Sequence, residues 1–457
     1  MPSFEPRKMA EWSGGTWLNA PQQGIVGFCF DARQIQPGQC FVALSGGARD
    51  GHDFIEQAAK GGAIAAIVES AKPIALPQLQ VSDSLCALAA IAAAWRSKFR
   101  SPVVAVTGSC GKTSTKEMLR CLLGEARTHA TAGNWNNRIG VPMTLFGLDA
   151  RQQDYAVIEA GINQSDEMQA LGQMIQADLN LLTNIGPAHL ELLGSLEHVA
   201  AEKSLLAQCA VPDSPIILPA EALEYPAYAQ LASRAIALLP VGAHQPVVVP
   251  RESVRYSIRR LESSQELDLE GRSYRIASAS RGIASNAALA IVAARQLGVA
   301  ESIIQERMEA WRPQGNRGRI ERIGEQIFYI DCYNANPASM ADALEAFQHS
   351  APSKVAHFYI LGAMNELGAS AEEQHQRIGR ILQLRPQDRI VFVGPDSLTQ
   401  AYQAGALAAG TAEAQMQCVT EIEKIKSSVA PFAGAIFLKG SRSYQLETLL
   451  PPQICNS

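Results

Sequence analysis

Residues 103–116, V-V-A-V-T-G-S-C-G-K-T-S-T-K, decide the fold of this chain. The apolar run Val103–Val106 predicts a buried strand, and a glycine-bearing loop and a helix over Thr113–Leu123 follow it. In such a unit, backbone N–H groups and the positive end of the helix converge on phosphate oxygens. Lys112 is then placed to reach the outer phosphates, and the Thr113 hydroxyl is a ligand for Mg²⁺. The stretch therefore predicts a phosphate loop that binds ATP and Mg²⁺.

The spacing of this loop is tighter than the common pattern GxxxxGK[ST], which would place a glycine where the chain has Val106. The alternative is a plain glycine turn before a helix that begins with lysine. The strand that precedes the loop favours the phosphate-binding interpretation. We expect the nucleotide to contact a run of consecutive residues: Thr107, Gly108, Ser109, Cys110, Gly111, Lys112, Thr113 and Ser114.

Strands and helices continue to alternate after the loop. Strands are predicted at Tyr155–Glu159 and Leu179–Asn184, with a helix at Glu167–Met174 between them and a closing helix at Asn286–Leu297. Such alternation predicts a parallel sheet with helices on both faces. The polar stretch Val254–Arg275 departs from this pattern, and we expect it to form antiparallel strands.

Two further α/β regions flank this sheet. Residues 1–81 predict a small α/β domain, and a helix at Asp83–Phe99, capped by Ser82 or Asp83, links it to the phosphate loop. Beyond residue 315, a second alternation predicts a Rossmann-like domain, with strands at Ile327–Asp331, Val355–Leu361, Arg389–Val393 and Ala435–Leu438 and helices at Ser339–Phe347, Ala371–Leu382 and Leu398–Ala404. A chain of 457 residues is too long to fold around a single hydrophobic core. We therefore predict an α/β protein with three domains, at 1–81, 82–314 and 315–457.

Composition excludes several classes of protein. A formal charge of −5 leaves no basic footprint for nucleic acid, and no apolar stretch has the length of a transmembrane helix. The first residues carry charges of both signs without an apolar segment, so no signal peptide is predicted. Nine cysteines without a CxxC pair favour reduced thiols over zinc or disulfides. We expect a cytoplasmic monomer that neither binds nucleic acid nor inserts into a membrane.

Three side chains outside the loop are candidates for the reaction. Glu159 ends a predicted parallel strand, where ligands collect, and this position makes it a candidate Mg²⁺ ligand beside the phosphate loop. Without the loop, an exposed strand-end glutamate would be the better interpretation. His189, in N-I-G-P-A-H-L, and Lys203, in A-A-E-K-S, are by themselves ordinary packing and solvated residues.

The motifs together resemble those of the Mur ligases, the peptidoglycan-precursor amide ligases, whose relatives include folylpolyglutamate synthase. T-G-S-C-G-K-T-S-T-K (107–116) resembles the family's ATP loop, and D-A-R (31–33), P-G-Q-C-F-V-A-L (37–44) and D-G-H-D-F (50–54) are similar to its UDP-binding domain. L-G-A-M-N-E-L-G (361–368) and L-K-G-S-R-S (438–443) are similar to its C-terminal domain. G-N-W-N-N-R-I-G-V-P-M-T-L (133–145) and D-C-Y-N-A-N-P-A-S-M (331–340) resemble the branch that adds a dipeptide.

The resemblance implies an ATP- and Mg²⁺-dependent ligase that joins D-alanyl-D-alanine to UDP-N-acetylmuramoyl-tripeptide through an acyl phosphate. It implies that Lys112 contacts the ATP phosphates, that Thr113 and Glu159 hold one Mg²⁺, and that His189 holds a second. Lys203 matches a lysine that is carbamylated in the family. Asn286, Arg319 and Asp331 match residues that contact adenine, phosphates and ribose, respectively. The implied substrate contacts are Asp31, Arg33, Asn134, Asn136, Asn137, Asn334 and Asn336.

The chain departs from the family pattern at a few positions. Gly282 and Ile283 stand where a polar pair often precedes Asn286, Ala363 stands where aspartate is common, and Ala32 replaces a serine. Three alternatives stay open: a sister ligase that adds a single amino acid or glutamate, a non-catalytic nucleotide-binding or scaffold protein with a decayed site, which only Ala363 and Gly282 support, and a P-loop kinase or GTPase. The last is least favoured, because the chain has no Asn-Lys-x-Asp guanine reader.

Overall fold

A computed structural model describes residues 3–46, 49–162, 164–187, 190–261 and 264–455. Within this described part, the strands form three sheets of five, nine and six strands, here called the N-terminal, central and C-terminal sheets. The chain packs as two compact units: Met1–Thr107 with Leu123–Leu181 and Glu202–Ile216, and Gly108–Leu122 with Leu182–Ala201 and Ile217–Ser457. The α/β fold is confirmed, and the domain boundaries at 81/82 and 314/315 stay a prediction.

The N-terminal sheet has the order β1-β5-β4-β3-β2, with only β1 antiparallel to its neighbour among the described strands. An apolar cluster that includes Phe41, Ile55 and Val68 holds it together. Asp83 caps the linking helix α3 as predicted, since its carboxylate accepts a hydrogen bond from Cys86 N. The bounds are β1 (Thr16–Trp17), β2 (Phe28–Cys29), β3 (Cys40–Val42), β4 (Ala65–Val68), β5 (Gln78–Gln80), α1 (Pro6–Ser13), α2 (Ile55–Lys60) and α3 (Ser84–Arg96).

The central sheet has the order β14-β13-β12-β11-β10-β9-β6-β8-β7. Its strands are β6 (Val103–Thr107), β7 (Thr128–Ala130), β8 (Tyr155–Glu159), β9 (Leu179–Leu182), β10 (Ile216–Pro219), β11 (Ala235–Pro240), β12 (Glu252–Arg260), β13 (Gln265–Leu269) and β14 (Arg272–Ile276). β6, β7 and β8 are parallel, and β6 and β8 are buried along almost their whole length, as expected of strands covered on both faces. β12, β13 and β14 are antiparallel, which confirms the prediction for the polar stretch.

The helices of the central sheet are α4 (Lys112–Leu123), α5 (Gly140–Leu145), α6 (Glu167–Ile175), α7 (Leu190–Leu193), α8 (Leu196–Gln208), α9 (Pro226–Ala229), α10 (Arg281–Gln296) and α11 (Glu301–Ala310). Two predicted bounds of the central sheet and its helices differ from the structure by more than one residue. The closing helix begins at Arg281 rather than Asn286, because the Ser280 side chain caps it. Strand β9 ends at Leu182 rather than Asn184.

The C-terminal sheet has the order β15-β16-β20-β17-β18-β19, and only β15 runs antiparallel to its neighbour among the described strands. Successive residues of β17 point to opposite faces of the sheet, and Tyr359 and Ile360 belong to different apolar clusters. Helices therefore cover both faces, as predicted. The bounds are β15 (Arg319–Ile323), β16 (Gln326–Ile330), β17 (His357–Gly362), β18 (Arg389–Val393), β19 (Met416–Val419), β20 (Ala435–Lys439), α12 (Pro337–Ser350), α13 (Ala371–Arg380), α14 (Asp396–Ala408), α15 (Glu423–Val429) and α16 (Pro452–Cys455).

Over the described residues, no helix combines the length and the apolar character needed to cross a membrane.

Candidate active site

The phosphate loop, residues 108–113, is held by the chain segment that follows β9. Ser109 N donates to Asn184 O at 3.1 Å, and Cys110 N donates to the Asn184 side-chain oxygen at 3.0 Å. The Ser109 hydroxyl donates to Gly186 O and accepts from Gly186 N, both at 2.9 Å. Thr183 Oγ1 donates to Cys110 O at 2.5 Å. Sequence analysis missed this support, which explains why β9 stops at Leu182: the next two side chains leave the sheet to hold the loop.

Both glycines of the loop are required by their conformation and surroundings. Gly108 has a φ of 147° and Gly111 a φ of 81°, in the region that favours glycine. A Cβ at Gly108 would overlap the Thr183 hydroxyl, and a Cβ at Gly111 would lie 2.5 Å from Asn286 Nδ2. Lys112 Nζ donates to Gly108 O at 2.8 Å, which places its ammonium over the loop. A glycine loop at the start of a helix, with a lysine ammonium beside it, is an arrangement that suits phosphate oxygens.

Cys110 is a structural member of this loop. Asn184 Nδ2 lies 2.9 Å from the Cys110 sulfur, and burial raises the pKa of the thiol. A thiol with a raised pKa remains protonated at neutral pH, so this cysteine does not supply a nucleophile.

Asn286 lies on α10 and is buried against the loop at Gly111. This contact places the residue beside the phosphate cradle. Its contact with adenine, which the family resemblance implies, stays a prediction.

Glu159 is buried, with 1% of its surface exposed, so the interpretation as an exposed strand-end glutamate was wrong. Within β8 it pairs in register with Val106 of β6, two residues before Gly108 in sequence. Asn136 Nδ2 donates to Glu159 Oε1 at 2.8 Å, and the Thr131 hydroxyl accepts from Glu159 N at 2.9 Å. Burial of a carboxylate is unfavourable unless donors or a cation compensate the charge. The position therefore suits a metal ligand.

The two predicted ligands of the first Mg²⁺ carry oxygen donors of the kind that this ion prefers. A threonine hydroxyl and a glutamate carboxylate, at Thr113 and Glu159, are hard oxygen ligands, and Mg²⁺ is usually bound by one or two carboxylates together with substrate phosphates and water. In the part of the chain that the structure describes, no group of three or more His, Cys, Asp or Glu side chains forms a complete metal site. His189, the predicted ligand of a second Mg²⁺, lies outside the described residues.

Two lysines, Lys203 and Lys116, are buried rather than solvated. Lys203, on α8, has 2% of its surface exposed, so the ordinary interpretation as a solvated lysine was wrong. Lys116, on α4, has none exposed, and its ammonium lies 2.9 Å from Glu117 Oε1. A buried cation is retained only where neighbouring groups compensate it. The carbamylation of Lys203 that the resemblance implies stays a prediction.

Asp331 and Lys439 form an ion pair at the carboxyl ends of β16 and β20. Lys439 is buried, and its ammonium donates to Asp331 Oδ2 at 2.6 Å and to Asn334 O at 3.3 Å. Sequence analysis missed Lys439. The available signal was the lysine directly after the predicted strand Ala435–Leu438, a position equivalent to that of Asp331 on its own strand.

Arg319 begins β15. Its guanidinium lies 3.6 Å from Glu321 Oε1 and donates to Ile454 O at 3.3 Å. It also lines a cavity of about 680 Å³ whose lining residues belong to 264–279 and 309–351. The contact with ATP phosphates that the resemblance implies stays a prediction.

The predicted substrate residues fall into two groups. Arg33 forms a bidentate ion pair with Asp31 on the surface, at 2.7 and 2.9 Å, and its hydrogen bonds lower the pKa of Asp31 to about 2. Asn134 is exposed, while Asn136 binds Glu159. The remaining asparagines, Asn137, Asn334 and Asn336, each accept a local backbone hydrogen bond, and Asn336 also caps α12. Their substrate contacts stay predictions.

Comparison with known proteins agrees with this geometry. The Mur ligase middle domain matches residues 106–294, the Mur ligase glutamate ligase domain matches 318–442, and the Mur ligase family catalytic domain matches 25–100. UDP-N-acetylmuramoyl-tripeptide--D-alanyl-D-alanine ligase of Treponema pallidum is 32% identical over 94% of each chain, and that of Escherichia coli is 32% identical over 92% of each. The crystal structure of MurF from Acinetobacter baumannii superposes with a TM-score of 0.86 at 28% identity, over 98% of each chain.

The fold and the site define an ATP-dependent ligase. The chain belongs to the Mur ligase family, which confirms the resemblance of its motifs.

Proposed function

We propose that this chain joins D-alanyl-D-alanine to UDP-N-acetylmuramoyl-tripeptide with ATP and Mg²⁺, to give the UDP-N-acetylmuramoyl-pentapeptide of peptidoglycan synthesis. The observation that carries the proposal is the hydrogen bond between Asn136 and Glu159. Asn136 belongs to the motif that resembles the dipeptide-adding branch, and Glu159 is the candidate Mg²⁺ ligand. Similarity to ligases of that name along nearly the whole chain supports the same assignment.

The reaction has two steps. The terminal carboxylate of the tripeptide attacks the γ-phosphorus of ATP, so that an acyl phosphate forms and ADP leaves. The amine of D-alanyl-D-alanine then attacks the acyl carbon, loses a proton, and phosphate leaves as the amide forms. The first step brings two anions together, so neutralisation of charge is its main requirement.

Several residues of the chain bind ATP and neutralise its charge. The phosphate loop at the start of α4 and the Lys112 ammonium bind the phosphates, while the N–H groups of Ser109 and Cys110 hydrogen-bond to Asn184 and hold the loop. Thr113 and Glu159 would hold Mg²⁺, which supplies further positive charge to the phosphates, and His189 would hold a second ion. We assign Asn286 to adenine, Asp331 to ribose and Arg319 to the phosphates.

The other predicted residues complete the proposal. Lys203 is assigned to the metal side of the site as a carbamate. The substrate side is assigned to Asp31, Arg33, Asn134, Asn136, Asn137, Asn334 and Asn336. We also propose that the chain acts as a monomer in the cytoplasm, for which its scattered cysteines are the support.

Phosphate release from ATP tests this function. We expect release only when UDP-N-acetylmuramoyl-tripeptide and D-alanyl-D-alanine are both present. Lys112→Met should abolish it, because the cradle loses its cation. Lys426→Met is the matched control, since Lys426 pairs on the surface with Glu423. Release with a single amino acid would instead identify a sister ligase, and nucleotide binding without release under any pairing would identify a non-catalytic protein.

A further inference from the structure

One face of α12, the first helix of the C-terminal sheet, carries three polar side chains that contact elements of the central sheet. Asp342, Glu345 and His349 lie three and four residues apart, so they share this face. Glu345 lies 2.7 Å from Arg260, and His349 Nε2 lies 2.9 Å from Leu261 O. Asp342 reaches the N-terminus of α10.

The Asp342 carboxylate completes the cap of α10. Ser280 Oγ donates to Asp342 Oδ2 at 2.5 Å, and Gly282 N donates to Asp342 Oδ1 at 3.2 Å. The Ser280 hydroxyl donates its hydrogen bond to Asp342. Its oxygen can therefore accept a hydrogen bond from Ile283 N, which lies at 3.0 Å. One carboxylate therefore binds one N–H of the first turn directly and orients the hydroxyl that binds another. The helix dipole favours a negative charge here, whereas burial raises the pKa of Asp342.

Gly282 makes this contact possible. A Cβ at position 282 would lie 3.1 Å from Asp342 Oδ2, closer than side-chain carbons normally approach. With any other residue at this position, the carboxylate would have to shift by a few tenths of an ångström. The departure at Gly282 from the family's polar residue thus has a physical reason in this chain: the polar partner of the helix end comes from α12.

The same helix end is connected to the phosphate loop. Asn286 follows Gly282 by four residues, about one turn of α10, and its amide lies against Gly111. Loss of the cap would loosen the first turn of α10 and with it the Asn286 side chain. The phosphate loop would then lose the contact between Gly111 and the Asn286 side chain.

We propose that Asp342 is a positioning residue for nucleotide binding: from α12 it fixes the first turn of α10 and so holds Asn286 against the phosphate loop. The affinity for nucleotide therefore depends on the packing of α12 against the N-terminus of α10. The proposal rests on the proposed function only in requiring that the loop binds a nucleotide.

Calorimetric titration with Mg²⁺ and a non-hydrolysable ATP analogue, without peptide substrate, tests the proposal. Asp342→Ala should weaken binding about ten-fold, the effect of one charge-assisted hydrogen bond. Asp342→Asn keeps an acceptor oxygen and should fall between this variant and the wild type. Glu345→Gln is the matched control, because the half-exposed Glu345 pairs only with the side chains of Arg260 and, at 3.9 Å, Arg281, and does not contact the capped N–H groups of the described first turn. It should bind within about two-fold of the wild type.

Steady-state kinetics provide the readout that a purely structural role would not produce. In the Asp342 variants the KM for ATP should rise, while the KM for the nucleotide-sugar substrate stays unchanged. Wild-type affinity in a folded Asp342→Ala protein would overturn the proposal, as would equal weakening by Glu345→Gln. If Asp342→Ala does not fold, Asp342→Asn and Gly282→Ala decide, and unchanged affinity in both overturns the proposal. A wild-type chain that binds no nucleotide would instead refute the proposed function and remove the premise.

Discussion

Replacement of Asn136 by alanine tests the hydrogen bond that connects the dipeptide-branch motif to the candidate Mg²⁺ ligand. The change removes the donor 2.8 Å from Glu159 Oε1, while Glu159 stays buried. A hydrogen bond to a charged group contributes about 1.5–3 kcal/mol, so we expect a loss of stability of about 2 kcal/mol. For a unit of roughly 150–250 residues, this corresponds to a fall in Tm of about 4–8 °C.

The assay is a thermal melt of the Asn136→Ala variant with and without Mg²⁺ and an ATP analogue. The fall should be largest without them and smaller with them, because a bound cation compensates the charge that Asn136 otherwise balances. Asn134→Ala is the control for stability, since Asn134 is exposed and, among the residues that the structure describes, only its backbone carbonyl is hydrogen-bonded, to Asn136 N. If Asn136→Ala melts at the same temperature as Asn134→Ala, the hydrogen bond does not stabilise the buried carboxylate and the reasoning is refuted.

Three further predictions concern the loop, the ion pair and the surface pair. Gly108→Ala should reduce nucleotide affinity by about 100-fold or more, measured by calorimetry, because the methyl group meets the Thr183 hydroxyl and the φ of 147° is unsuited to alanine. Lys439→Met should raise the KM for ATP about ten-fold in phosphate-release assays, because the substitution leaves the Asp331 carboxylate without its cation. Lys439→Arg keeps the charge and should retain most of the affinity for ATP. Equal KM values for the two variants would contradict a role for the charge. Arg33→Met should raise the pKa of Asp31 from about 2 toward 3.8, followed by NMR titration of the carboxyl carbon. Because this pKa is lowered in the folded chain, the ion pair is complete above pH 3.8 and is lost as the pH falls through about 2, and a midpoint unchanged by the substitution would contradict the pairing.

The sequence predicted those features that depend on neighbours along the chain. The strand Val103–Val106, the glycines of the loop and the helix that follows form a local pattern, and the structure reproduces it. The antiparallel strands near Val254–Arg275 were predicted from the polar character of that stretch, which is likewise a local property of the sequence.

The features that sequence analysis missed arise from residues distant along the chain. Asn184 supports Cys110 from 74 residues away, and Lys439 reaches Asp331 across 108 residues, because β20 inserts beside β16. The start of α10 at Arg281 depends on Ser280, whose hydroxyl is oriented by Asp342, 62 residues further on. The burial of Glu159 likewise depends on Asn136 and Thr131. Periodicity and spacing carry no information on such pairings.

The two departures that gave support to a decayed site have local structural reasons. Gly282 makes room for the Asp342 carboxylate at the end of α10. Ala363 is fully buried, its N–H donates to Val393 O at 2.8 Å, and its Cβ would lie 2.8 Å from a Cβ at Gly394. The position therefore leaves little room for a larger side chain. A site that had lost its function would have no reason to retain the Cys110–Asn184 and Lys439–Asp331 contacts beside these substitutions. The departures are better explained as changes in packing around a working nucleotide site than as signs of its loss.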